Sequence, residues 1–179
     1  MQQLQDLLDL PWMRTTLGVL ALLGLAWLAG QLVRRLLHRV ISGIARRTST
    51  RWDDALLGYG TFRWLARALP ALIVQYGIML VPGVPMGAEA LIGNVMTALV
   101  VFCIVMAISA ALSASEDVYR HTPRGQQRSI KGLVQLIKIG LFIVAALIII
   151  AAVTGKQVGL LLSGVGAMSA VMMLIFQDT

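Results

Sequence analysis

The chain has 179 residues, 58% hydrophobic and 13% charged, with a mean hydropathy of +0.83 and a net charge of +7. That charged share is about half of what a soluble domain carries, and a soluble fold of this size has no interior large enough for so much apolar surface. The basic residues cluster beside apolar runs, which points to an anionic lipid surface as partner and away from nucleic acid.

The start carries Asp6 and Asp9 and no positive region, so it does not read as a secretory signal. Leu4, Leu7 and Leu8 form a short apolar stripe, and Pro11 and Trp12 mark an interfacial start. A helix needs about 20 apolar residues to cross the hydrocarbon core. Five runs approach that length, at about 15–33, 62–81, 90–112, 133–153 and 158–176. The second is interrupted at its start by Arg63, Arg67 and Pro70. Beyond the first run, Leu36, Leu37, Val40, Ile41 and Ile44 continue a helical stripe. Arg34, Arg35, Arg39, Arg46 and Arg47 surround it, a pattern that anchors a helix on lipid headgroups. The expected fold is an all-α integral membrane protein of about five transmembrane helices, in one domain without repeats. The abrupt end after Gln177 suggests a piece of a longer chain.

Charge sets the expected topology. Residues 34–67 carry eight arginines, and residues 113–138 carry Arg120, Arg124, Arg128, Lys131 and Lys138. Residues 82–89 have no basic side chain, and the turn at 154–157 has only Lys156. By the positive-inside rule the N-terminus is outside and the C-terminus cytoplasmic.

Nothing reads as an enzyme or metal centre, and no cofactor is expected. His38 and His121 sit in basic loops without neighbouring Cys, Asp or His in sequence. Thr50-Arg51-Trp52-Asp53 has the spacing of a capping box, so Asp53 and Asp54 read as the acidic opening of a helix. Cys103, the single cysteine, reads as a small buried hydrophobe. No span holds an ionisable group deep inside. Gln75, Asn94 and Lys138 lie near span ends, with Lys138 able to snorkel to the interface. That argues against an ion-coupled carrier but suits a passive pore closed by dewetting.

The fifth run has its own texture. Ser163, Ala167 and Ala170 share a face that continues to Leu174 and Gln177, and Gly159, Gly164, Gly166 and Ser169 add small residues. Such a stripe permits close helix approach, either to another helix of the same chain or to identical helices around an axis.

Three stretches together carry a family resemblance. Thr50-Arg51-Trp52-Asp53-Asp54-Ala55-Leu56-Leu57 resembles the segment that follows an N-terminal span in many MscS-like, small-conductance mechanosensitive channels. Ser129-Ile130-Lys131-Gly132-Leu133-Val134-Gln135-Leu136-Ile137-Lys138 looks like the opening of that family's penultimate helix. Ser163-Gly164-Val165-Gly166-Ala167-Met168-Ser169-Ala170, leading to Phe176-Gln177-Asp178, is similar to its pore helix. The five-span pattern resembles the miniconductance branch. The resemblance implies a homoheptamer in the bacterial inner membrane, opened by tension and releasing ions and small solutes during hypo-osmotic stress. The last helix would line the pore, with Gly159, Ser163, Gly166 and Ala167 in packing. Family pore helices carry two sealing leucines one turn apart. Aligned on Gln177, this chain has Leu174 at one position and Ala170 at the other, which shifts the expected seal towards Leu174 and Phe176. Met173 and Ser169 also replace small packing positions, and the second half of the pore region and the cytoplasmic β domain are absent. The rival readings are a non-conducting membrane scaffold or regulatory subunit, and a small passive permease.

Overall fold

The computed structural model describes residues 11–44, 51–122, 125 and 130–177, and every regular element among them is helical. Helix α1 is Pro11–Ile44, α2 Arg51–Gly58, α3 Thr61–Gly77, α4 Met86–Arg120, α5 Lys131–Thr154 and α6 Val158–Gln177. A 3-10 turn, Ile78–Leu80, prolongs α3.

Four helices are long and apolar enough to cross a membrane: Met13–Leu37 within α1, then α4, α5 and α6. The protein is therefore membrane-embedded in character. These four match the first, third, fourth and fifth apolar runs. The second run forms α3 and the 3-10 turn, and does not reach that standard of length and composition.

Helix α1 opens on Pro11, whose missing N–H costs nothing in a first turn. It runs unbroken past its apolar stretch to Ile44, as the continuing stripe led us to expect. Arg39 falls on this helix, but its side chain, like that of His38, lies outside the described residues, as do Arg46, Arg47 and the stripe at Leu4, Leu7 and Leu8. Helix α2 begins at Arg51, so the Thr50 cap also lies outside them.

The turn from α2 to α3 requires glycine. Gly60 has φ 74°, in the left-handed region, and its carbonyl accepts from the backbone N–H groups of Arg63 and Trp64. The Arg63 guanidinium lies over it, 2.7 Å from where a Cβ would stand.

Helices α1, α3, α4 and α5 pack as a row in chain order, each antiparallel to the one before, with α2 resting on α4. Small residues set the spacing. On the α1–α3 seam Gly18 meets Val81 and Gly30 meets the Pro70 ring, where added Cβ atoms would stand 2.8 and 2.9 Å away. Gly77 there holds Leu22. The buried side chains are mostly alanine and valine: Ala26 on α1, Ala66, Ala68 and Ala71 on α3, Val100, Val105, Ala107 and Ala114 on α4, and Ala145 and Ala151 on α5. Between membrane helices there is no water to expel, so close backbone approach and dispersion replace large hydrophobic knobs. Cys103 is one of these buried packing residues.

Pro70 does not break α3, which continues through it to Gly77. Helix α5 ends in a left-handed glycine cap: Gly155 has φ 65°, and the N–H of Lys156 reaches back to Ala151 O at 3.0 Å. A short turn then opens α6.

Candidate functional site: the unpartnered last helix and an arginine level

Helix α6 is apolar, yet no residue of it is buried. Only Val158 and Leu161, in its first turn, are partly covered, and Leu162 to Gln177 are exposed throughout. Leu174 is 69% and Phe176 73% exposed. Ala170, Gln177, Ser163 and Ala167 are exposed beside them, and Ser163 Oγ donates to Leu160 O at 2.9 Å, back onto its own helix. Nothing lies within 4 Å of a Cβ placed on Gly159, Gly164 or Gly166. Among the described residues the small residues of this helix thus serve no close approach, in contrast to Gly18, Gly30 and Gly77.

At the other side of the row the arginines share a level. Gly30 faces Pro70 and the two helices run antiparallel, so one turn further along α1 brings Arg34 and Arg35 level with Arg63 and Arg67 of α3. All four are exposed. Side chains lean towards the N-terminus of their helix. Arg34 accordingly reaches back to donate from Nε to Gly30 O at 3.2 Å, and the Arg67 guanidinium sits 4.5 Å from the centre of the Trp64 ring. Trp64 in turn meets Phe102 of α4 edge-on, at 5.9 Å between ring centres. The sequence counts Arg63 and Arg67 with the basic stretch 34–67 and also at the interrupted start of the second apolar run. The fold puts them on a packed helix beside Arg34 and Arg35, a pairing visible only once Gly30 and Pro70 are known to touch.

Two side-chain hydrogen bonds join neighbouring helices. Gln75 Nε2 donates to Thr97 Oγ1 at 2.9 Å between α3 and α4, and Lys138 Nζ donates to Ser113 Oγ at 2.7 Å between α5 and α4. Lys138 is half-buried two turns into α5, near the helix start where the sequence places it, and a lysine's three donors leave two beyond the Ser113 bond.

His121 caps α4, and one of its ring nitrogens, Nδ1, lies 2.8 Å from Asp117 O. It lines a pocket of about 330 Å³ with Asp54, Tyr59 and Asp117; Asp117 stands one turn earlier on the same helix, a neighbour the basic-loop reading passed over, and the fold adds Asp54 from α2. Among the described residues no three His, Cys, Asp or Glu side chains come close enough to hold a metal ion.

No protein-family model matches the chain, and no solved structure matches it.

Proposed function

We propose that the chain is the membrane-spanning part of a small-conductance, MscS-like mechanosensitive channel, opened by membrane tension and releasing ions and small solutes in hypo-osmotic stress. One observation supports this above others. Helix α6 is long and apolar enough to cross a bilayer, carries small residues, and beyond its first turn is covered by none of the described residues. A ring of copies, seven by resemblance, covers such a helix on both flanks and leaves one face to line a pore. Leu174, with Phe176 beside it, supplies the apolar constriction, with Ala170 and Gln177 on the same face, and Gly159, Ser163, Gly166 and Ala167 make the helix contacts. Arg34, Arg35, Arg39, Arg46 and Arg47 hold the peripheral helices to anionic lipid, so that tension biases a two-state equilibrium towards the wider form.

In this reading α3 completes a five-span topology in the bacterial inner membrane, with the N-terminus periplasmic and the C-terminus cytoplasmic. Its α-helical part is about 26 Å long at 1.5 Å per residue, and the 3-10 turn adds about 6 Å, close to the hydrocarbon thickness of about 30 Å. Cysteines placed by Met86→Cys and Thr48→Cys in a Cys103→Ala background label from opposite sides of the membrane. Labelling of both from one side refutes the topology.

The channel itself is tested by patch recording of the full chain in liposomes under suction, with particle images viewed down the symmetry axis. A ring with tension-dependent current is expected. A ring without current favours the scaffold reading.

A further inference from the structure

The end of the row opposite Arg34, Arg35, Arg63 and Arg67 holds a pocket of about 560 Å³ between α3, its 3-10 turn and α4, with Gln75, Ile78, Met79, Met86, Glu89, Asn94 and Thr97 in its lining. It falls in the size range of small-ligand sites, and it has their make-up of apolar walls with a few converging polar groups. Gln75, Glu89, Asn94 and Thr97 are all half-buried. Gln75 spends its amide N–H on Thr97, and Thr97 donates to Gly93 O at 2.8 Å, which leaves the Gln75 carbonyl oxygen without a partner among the described residues. Among the described residues the side chains of Glu89 and Asn94 have no hydrogen-bond or ion-pair partner. Half-buried polar groups on helices of this kind are costly without one.

The charge pattern selects the ligand. The lining has one carboxylate, two amides, one hydroxyl and no basic side chain. Acceptors therefore converge from Glu89, Asn94 and Gln75, which suits a group with several N–H donors and a positive charge. The depth selects its source. Helix α4 is about 52 Å long, more than the hydrocarbon core, and its uncharged apolar run begins only after Glu89, at Ala90, which sets its first turn at headgroup level. Glu89 lies in its first turn and Thr97 further in, so the pocket runs from headgroup level into the apolar zone, with Met79, Leu80 and Met86 exposed at its edge.

We propose that this pocket binds the primary-ammonium headgroup of an aminophospholipid such as phosphatidylethanolamine. The ammonium is held by Glu89, Asn94 and the Gln75 carbonyl, and the acyl chains lie along Ile78, Met79 and Met86. The inference rests on membrane embedding alone and stands apart from the channel reading.

The test is native mass spectrometry of the full chain released from vesicles of equal phosphatidylethanolamine, phosphatidylcholine and phosphatidylglycerol. Choline keeps the positive charge but has no N–H, and glycerol has hydroxyls but no cation. Retention of ethanolamine lipid about tenfold over choline lipid is expected, the scale of one charge-assisted hydrogen bond. Glu89→Gln, nearly the same shape, brings the two close to equal, whereas Lys156→Gln, outside the lining, leaves the preference intact. Equal retention by the unaltered chain, equal or better retention of phosphatidylglycerol, or full preference in Glu89→Gln would each overturn the assignment. Free ethanolamine added to the vesicles leaves the bound lipid in place. If it strips the lipid at millimolar concentration, the site reads a soluble amine and the lipid assignment is wrong.

Discussion

Lys138 of α5 and Ser113 of α4 are joined by a 2.7 Å hydrogen bond, and the Ser113 hydroxyl donates in turn to Ser109 O at 3.0 Å. The two partners are unequal. Removing the lysine removes the cost of a half-buried cation along with the bond, whereas removing the serine leaves the cation with less solvation. Measured hydrogen bonds between membrane helices average about 0.6 kcal/mol, so the direct loss is small and the stranded charge decides the difference. Lys138→Met is expected to change stability by less than about 0.5 kcal/mol, and Ser113→Ala to cost about 1 kcal/mol. Unfolding in mixed micelles measures both, and the double variant should resemble Lys138→Met. A larger loss in Lys138→Met than in Ser113→Ala contradicts this account.

Gly60→Ala tests the α2–α3 turn. A side chain at φ 74° is strained by about 1–2 kcal/mol, and here it also meets the Arg63 guanidinium. Loss of about that much stability is expected by the same measurement. Gly60→Ala with Arg63→Ala regains the steric part only, so a double variant restored fully to the original stability would show that backbone strain is absent.

The glycines divide into two sets with opposite expectations. Gly30→Ala and Gly77→Ala drive a methyl into Pro70 and Leu22, and overpacking of this kind costs about 1–3 kcal/mol. Gly159→Ala and Gly164→Ala meet nothing within the chain. They are expected to leave the stability of the isolated chain unchanged or slightly higher, as alanine favours helix. Gly159→Leu and Gly164→Leu should shift the particle to smaller size in light scattering if α6 packs on copies of itself. An unchanged particle size would remove these glycines from the assembly interface.

Leu174→Ser tests the proposed constriction. A hydroxyl in an apolar ring eases wetting, so the full chain is expected to open at lower tension or to leak, and cells making it should grow poorly without osmotic shock. Phe176→Ser is the comparison. A leak from Phe176→Ser alone moves the seal by two residues, and normal thresholds in both variants remove α6 as the gate.

The helices were legible from hydropathy and period because length and apolar content are local properties of the chain. Four of the five runs read from the sequence are helices able to cross a bilayer, and the prolonged first helix followed from its repeating stripe. Pro70 and the two arginines weaken the second run on paper. The proline ring is seated against Gly30, and the Arg67 guanidinium rests on Trp64, both of which depend on partners a local reading cannot see. The same limit hid the Lys138–Ser113 bond and the Glu89–Asn94 pocket, whose members lie on different helices or different turns. The exposed α6 was half legible: its small face stood out, but the lack of a partner inside the chain is a property of the whole arrangement.

The row of helices has a consequence for biogenesis. Each of α3, α4 and α5 packs on the long helix just before it in the chain, so neighbouring helices in the row are also neighbours in sequence. Chains with mostly local contacts close them quickly, because little loop entropy must be given up first. As the helices leave the insertion machinery, each one finds its partner already in the bilayer and needs no later rearrangement across the bundle. Helix α6 is the exception, arriving with no earlier helix reserved for it beyond its first turn. The chain can therefore be packed and protease-resistant through α5 while α6 still samples the bilayer, and if α6 assembles with copies of itself as proposed, a pulse–chase comparison of folding with assembly should separate the two events in time.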